Sequence, residues 1–178
     1  MSPEQLEDAI TDRTRLLFIN SPSNPTGSVY SHEELAALGQ VLKKYPDIYI
    51  ATDDMYEHIL WTDKPFVNIL NACPELYDRC IVMNGVSKAY SMTGWRIGYC
   101  AGPAELIGAM KKTQSQSTSN PCSISQVAAE AALNGDQGCI TPMLKAFKER
   151  HDFVVKRLNA MDGVNCIESD GTFYAFAD

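Results

Sequence analysis

The sequence predicts an α/β protein: a mostly parallel sheet covered by helices in three layers, followed by the start of a smaller α+β unit. Three observations point there. The apolar runs "RLLFIN" (15–20), "IYIAT" (48–52) and "CIVMN" (80–84) are continuous rather than alternating, as in strands buried on both faces. A helical stretch separates the first two, which makes a βαβ unit. After residue 102 the pattern turns almost wholly helical. On this reading residues 1–140 form the large unit and 141–178 a long connecting helix and the beginning of the small one.

Taken in order, the first run leads into "SPSNPTG" and then "SHEELAALGQVLKKYP". There Ser31 and Glu34 have the spacing of a capping box, and Pro46 ends the helix. The second run leads into "DDMYEH" and the third into "GVSK". A fourth run, "WRIGYCAG" (95–102), follows after only 10 residues, too few for a helical crossover, so it should return antiparallel. "PAELIGAMKKTQSQST" should start a helix with proline at its first position, and "SISQVAAEAALNG" should close at Asn134-Gly135. The amphipathic "TPMLKAFKERHDFVVKRLNAM" is a long helix, with His151, like His32, expected on a helix surface. "VNCIESDGTFYAFAD" reads as two short strands joined at Asp170-Gly171.

Composition bounds the function. With 178 residues, 45% hydrophobic and 21% charged, the chain is ordinary for a globular protein. The net charge of −7 and a pI near 4.9 argue against nucleic acid or an anionic membrane as partner. No apolar run approaches the roughly 18 residues that cross a bilayer, and the N-terminus lacks the cationic and apolar parts of a signal peptide. Six scattered cysteines without a CxxC pair read as reduced thiols in a cytoplasmic protein. The three histidines lack metal-ligand spacing, so no metal is expected.

Parallel sheets place ligands beyond the carboxyl ends of their strands. Those ends carry Asn24 after the first run, Asp53 and Tyr56 after the second, and Ser87 and Lys88 after the third. A returning fourth strand would bring its first residues, with Arg96, to the same edge. Singly each group has a plain reading: a surface lysine, a turn asparagine, a helix-capping aspartate, a core tyrosine, an ion-pairing arginine. Together they suit pyridoxal 5'-phosphate. Lys88 supplies an amine for its aldehyde, and Asp53 a carboxylate for the pyridine nitrogen. Asn24 and Tyr56 are partners for the ring 3-oxygen, and Arg96 with Ser87 for the phosphate.

The segments "SPSNPTG", "DDMYEHI" and "NGVSKAYSMTGWRIGY" resemble the class I aminotransferases of the aspartate aminotransferase family. The frame S-K-x-x-x-x-x-G-x-R-x-G is met at Ser87, Lys88, Gly94, Arg96 and Gly98. The resemblance implies a pyridoxal-phosphate transaminase working as a homodimer. It implies aspartate as amino donor, 2-oxoglutarate as 2-oxo acid acceptor, Lys88 as the catalytic residue and Asn24 as a substrate contact too. "STSNPCSISQ" resembles the segment that reaches the neighbouring subunit's active site, through Ser119 and Asn120 here. The chain resembles a central-to-late portion of longer relatives. Their phosphate-binding loop, ring-stacking aromatic and carboxylate-binding arginine have no counterpart, so these residues alone should be poorly active. Gly85 stands where many relatives carry a hydroxyl residue, and no arginine stands near Ser115.

Alternatives remain at this point. A C–S β-lyase or related enzyme would share the same site residues. A non-catalytic cofactor-binding domain would need a DNA-binding segment that is not seen. A nucleotide-binding domain would want G-x-G-x-x-G, which "SPSNPTGS" does not offer.

Overall fold

The computed structural model describes residues 1–178 as a four-stranded mixed sheet flanked by helices, an α/β fold. The elements are α1 (Pro3–Ala9), β1 (Leu16–Asn20), α2 (His32–Lys43), β2 (Tyr49–Asp53), α3 (Ile69–Ala72), β3 (Cys80–Gly85), β4 (Gly98–Ala101), α4 (Ala104–Ser115), α5 (Ser123–Asn134) and α6 (Ile140–Leu158). Short 3₁₀ turns occupy Pro74–Arg79, Thr93–Trp95 and Gln137–Cys139. No helix is long and apolar enough to cross a membrane.

The strands lie in sequence order. β1 pairs parallel with β2 and β2 parallel with β3, while β4 runs antiparallel to β3. The register pairs Asn20 with Asp53, Asp53 with Met83, and Gly85 with Gly98. The carboxyl ends of β1, β2 and β3 and the start of β4 therefore share one edge.

The main core forms where α2 lies on the sheet. Leu35, Leu38 and Leu42 of α2 are buried with Ile19, Ile50, Ile69, Cys73 and Leu76. Burial of such side chains stabilises the fold by roughly 1.5–3 kcal/mol each. The Ser31 hydroxyl accepts from the Glu34 N–H, while Glu34 accepts from the Ser31 N–H, closing the capping box. At the other end of α2 the Arg79 guanidinium donates to the carbonyls of Leu42, Tyr45 and Ile48 at 2.7–2.8 Å, tying the helix end to the turn that follows it.

Several expectations need correction. The C-terminal stretch forms no strands. It makes two isolated antiparallel bridges, Leu60 with Gly171 and Cys166 with Ala177. The stretch does fold back at its ends, where Asn165 and Asp178 exchange backbone hydrogen bonds at 2.9 Å, but no ladder forms at Asp170-Gly171, because the Gly171 N–H donates to Gly27 and the Thr172 N–H to Ile59. His151 is not a surface residue. It is 3% exposed, stacked on Trp61 with ring centroids 5.4 Å apart. Pro103 caps α4 rather than opening it, and Arg96 lies two residues ahead of β4. The N-terminal segment forms α1, which no pattern above anticipates.

Candidate active site

The strand-end edge is organised by hydrogen bonds the motifs do not reveal. The Asn20 amide donates to the Asp53 carbonyl at 3.3 Å and its oxygen accepts from the Asn24 N–H at 2.6 Å. One side chain thus ties the "SPSNPTG" loop to the end of β2. That loop contains cis peptide bonds at Ser21-Pro22 and Asn24-Pro25.

The period of two along a strand separates the adjacent aspartates. Thr52 and Asp54 face inward: Asp54 is 2% exposed, and its oxygens accept from the Thr52 hydroxyl at 2.6 Å and the Asn68 amide at 2.7 Å. Burial pushes the Asp54 carboxyl above its usual range, and those two hydrogen bonds oppose the shift. Asp53 is half-buried on the crevice side, where one oxygen accepts from the Met55 N–H at 3.3 Å. Asp53 therefore keeps hydrogen-bonding capacity for a ligand, whereas both Asp54 oxygens are already engaged.

Lys88 has its Nζ 5.6 Å from the Tyr56 ring centroid and 5.5 Å from that of Phe173, an ammonium held between two aromatic rings. Tyr56 is 3% exposed and its hydroxyl meets that of Tyr174. Burial, then the hydrogen bond and charge of Tyr174, pushes the Tyr56 phenol far above its ordinary value, while the Asn24 side chain pulls the other way. Tyr56 is thus a neutral hydrogen-bond donor at any ordinary pH. Asn24, Asp53 and Lys88 thus all approach Tyr56 at the strand-end edge.

Ser87 and Arg96 flank that group without a hydrogen bond to Lys88. Ser87 is half-buried. Arg96 is exposed, with a left-handed backbone (φ 55°), and its guanidinium donates to the Thr93 carbonyl at 2.9 Å. Ser119 and Asn120 form an exposed turn between α4 and α5. The Ser119 N–H donates to the Gln114 carbonyl at 2.9 Å and the Asn120 amide to the Pro121 carbonyl at 2.9 Å, so neither is bonded to the strand-end residues. At Gly85 a β-carbon would stand 2.9 Å from the Ile97 carbonyl oxygen. The hydroxyl residue expected there from the resemblance would push β3 and β4 apart.

Three participants escape sequence reasoning: Asn20, Phe173 and Tyr174. Asn20 reads as the last residue of a strand, and the aromatics lie far along the chain. Only the contact of "GTFY" with the end of β2 brings them in. That contact depends on Gly27, at φ 71°, whose carbonyl accepts from the Gly171 N–H at 3.2 Å. A β-carbon there would collide with the Ser169 side chain and lie 2.7 Å from the Gly171 oxygen. Gly27→Ala should therefore destabilise the protein by at least about 2 kcal/mol, from the left-handed backbone and the clash together. A thermal melt should fall by about 4–8 °C.

A cleft of about 640 Å³ lies elsewhere, between the start of α2 and residues 60–67. Glu33, Glu34, Asp63, Asp170 and Lys64 line it, and none of the strand-end groups does. Its amine, Lys64, is exposed among carboxylates and stands apart from Asp53, Tyr56 and Asn24.

The whole chain, residues 1–178, matches the family model for aminotransferase class I and II. Among curated proteins it is 68% identical to the aspartate/prephenate aminotransferase of Nitrosomonas europaea, covering all of this chain and 45% of that one. It is 54% identical to that of Cereibacter sphaeroides, covering 44% of it. The chain thus spans less than half the length of these relatives. Among solved structures, the aspartate aminotransferase of Rhizobium meliloti superposes with a TM-score of 0.96 at 49% identity, over 99% of this chain and 44% of that one. The Thermus thermophilus aspartate aminotransferase with maleate gives 0.90 at 38%, over 100% and 46%. The lysine-centred crevice at the strand ends and the match over its full extent place the chain among the class I and II aminotransferases.

Proposed function

We propose that this chain carries the cofactor-holding part of a pyridoxal-phosphate aminotransferase. It would move the amino group of an L-amino acid, aspartate first, to a 2-oxo acid such as 2-oxoglutarate. The observation that carries the reading is the Lys88 amine, set between Tyr56 and Phe173 at the edge that also presents Asp53 and Asn24. The relatives' names support aspartate as donor, and they add prephenate, itself a 2-oxo acid, as an acceptor to assay. In this reading residues 1–140 belong to the large cofactor-binding domain and 141–178 lead into the small one. Six free thiols, three of them buried, fit the cytoplasm. The exposed Ser119–Asn120 turn, with Ile124 and Val127 exposed on α5, fits a homodimer contact that reaches the partner's site.

The donor set matches the group. When bound, pyridoxal phosphate supplies an aldehyde for attachment and a ring that takes up an electron pair. Lys88 Nζ would hold the aldehyde carbon and, once displaced by the substrate amine, carry the proton away from the substrate α-carbon. The Asp53 carboxylate would keep the ring nitrogen protonated. Tyr56 and Asn24 would donate to the ring 3-oxygen, and Asn24 would also touch substrate. Arg96 and Ser87 would bind the phosphate, for which Arg96 must release the Thr93 carbonyl. Phe173 and Tyr56 would keep water from the Lys88 amine.

Borohydride reduction of the purified holoenzyme, followed by peptide mapping, should place a pyridoxyl group on Lys88. An adduct on Lys111 or Lys112 instead, or none, would sink the assignment. Product analysis with aspartate then separates amino transfer from a lyase reaction.

A further inference from the structure

The segment from Ser169 to Tyr174 is pinned more firmly than its irregular backbone suggests. The Ser169 carbonyl accepts from the Trp61 indole at 3.0 Å, and the Asp170 carbonyl from the Trp61 N–H at 3.0 Å. The Ser169 hydroxyl donates to the Gly171 carbonyl at 2.9 Å. Its single proton is then committed, so at 2.9 Å from His151 it accepts from the Nε2–H. Thr172 is fully buried, and its N–H donates to the Ile59 carbonyl at 2.8 Å. Phe173 wedges between Tyr56 and Phe147, with ring centroids 5.7 and 5.0 Å away. This frame aims the Tyr174 hydroxyl at the Tyr56 hydroxyl, with the rings edge to face at 5.7 Å.

A phenol has one proton to donate and two lone pairs that accept. In this pair either tyrosine could donate while no ligand is present. A negatively charged ring oxygen beside Lys88 breaks the tie. A hydrogen bond to an ionised acceptor is roughly twice as strong as one to a neutral oxygen. The Tyr56 proton therefore turns to the ligand, and Tyr174 is left to donate. We infer that Tyr174 is a positioning residue for Tyr56: it donates its hydroxyl proton to the Tyr56 oxygen and so directs the Tyr56 proton into the Lys88 crevice. Donation to the Tyr56 oxygen also polarises its O–H, which strengthens the outgoing bond. The burial that holds the Tyr56 phenol neutral keeps this chain of donors intact. The inference rests on the cofactor reading above and assigns a role to a residue outside the lysine motif.

The test is a spectrophotometric pH titration of the bound cofactor in the holoenzyme, comparing Tyr174→Phe, Tyr56→Phe and the double variant. Phenylalanine keeps the ring contacts with Phe173 and removes only the hydroxyl. A donor to the ring oxygen draws off charge that would otherwise help hold the proton on the Lys88 nitrogen. Weakening that donor raises the titration midpoint. Tyr174→Phe should shift the midpoint upward by at most about one pH unit, the size of one neutral hydrogen bond. Tyr56→Phe should shift it further, and adding Tyr174→Phe to Tyr56→Phe should shift it no more. An unchanged or lowered midpoint in Tyr174→Phe, or an equal shift with Tyr56 already removed, would overturn the inference. Failure of the wild-type holoenzyme to show a Lys88-bound chromophore would instead strike the cofactor reading, and with it this role.

Discussion

In the full-length protein, Lys88→Ala should lower the proposed transamination by at least about 10²–10⁴-fold, the usual contribution of a positioned proton-transfer group. The ring centroids of Tyr56 and Phe173 lie 5.6 and 5.5 Å from its nitrogen. The proposed noncovalent partners, Asp53, Tyr56, Asn24 and Arg96, remain in the variant, so cofactor should still bind, now released by dialysis. Lys88→Arg should be equally inactive, since guanidinium keeps its proton at all working pH values and cannot serve as a base. The fold should suffer little, because an exposed-site ammonium–ring contact contributes only about 0.5–1 kcal/mol. Single-turnover kinetics with aspartate, read beside a thermal melt, check both halves. Turnover within tenfold of the unaltered enzyme would remove Lys88 from the chemistry.

The second large effect separates two neighbours. Asp53→Asn should cut turnover by about 10²–10³-fold, the typical cost of losing one preorganised electrostatic partner, and leave the melt nearly unchanged. Asp54→Ala should do the reverse. It strips the acceptor from Thr52 and Asn68, whose bonds are 2.6 and 2.7 Å long, and should cost about 1–3 kcal/mol of stability. The folded-state carboxyl of Asp54 is raised, so the unfolded chain loses its proton first. The stability it confers is present in acid and lost as pH rises from the unfolded value through the folded one. Asp54→Ala should flatten that slope, which urea titrations at a series of pH values would reveal. Full activity in Asp53→Asn with an inactive but stable Asp54→Ala would exchange their roles.

The sheet was legible because its strands are unbroken apolar runs, although burial on both faces does not hold here, Leu16 and Phe18 of β1 being more than half exposed, and because a 10-residue gap forbids a crossover before the fourth. The Ser31–Glu34 capping box announced α2 for the same reason it stabilises it. Ser2 and Gln5 close a similar box on α1, but a seven-residue helix has too few apolar repeats to register as periodic. The Lys88 crevice was legible as far as strand ends predict convergence. Asn20, Phe173 and Tyr174 were not, because each acts through a partner more than thirty positions away or hidden in backbone hydrogen bonding. His151 fails in the same way: its helical position looks outward until Trp61 and Ser169 close over it. The aromatic run "TFYAF" suggests a strand, yet the N–H groups of Gly171 and Thr172 are already taken by Gly27 and Ile59.

The left-handed backbone at Arg96 sets a conflict between folding and recognition at a single position. For a residue with a β-carbon that conformation costs about 1 kcal/mol, and glycine would carry no such penalty. A search for hardier variants that scored melting alone would be drawn toward glycine there. It would discard the guanidinium proposed to bind the phosphate while reporting an improvement. On the proposed role of Arg96, laboratory evolution of this scaffold needs selection on turnover at every round, because at this position thermal tolerance and anion capture would pull the sequence in opposite directions.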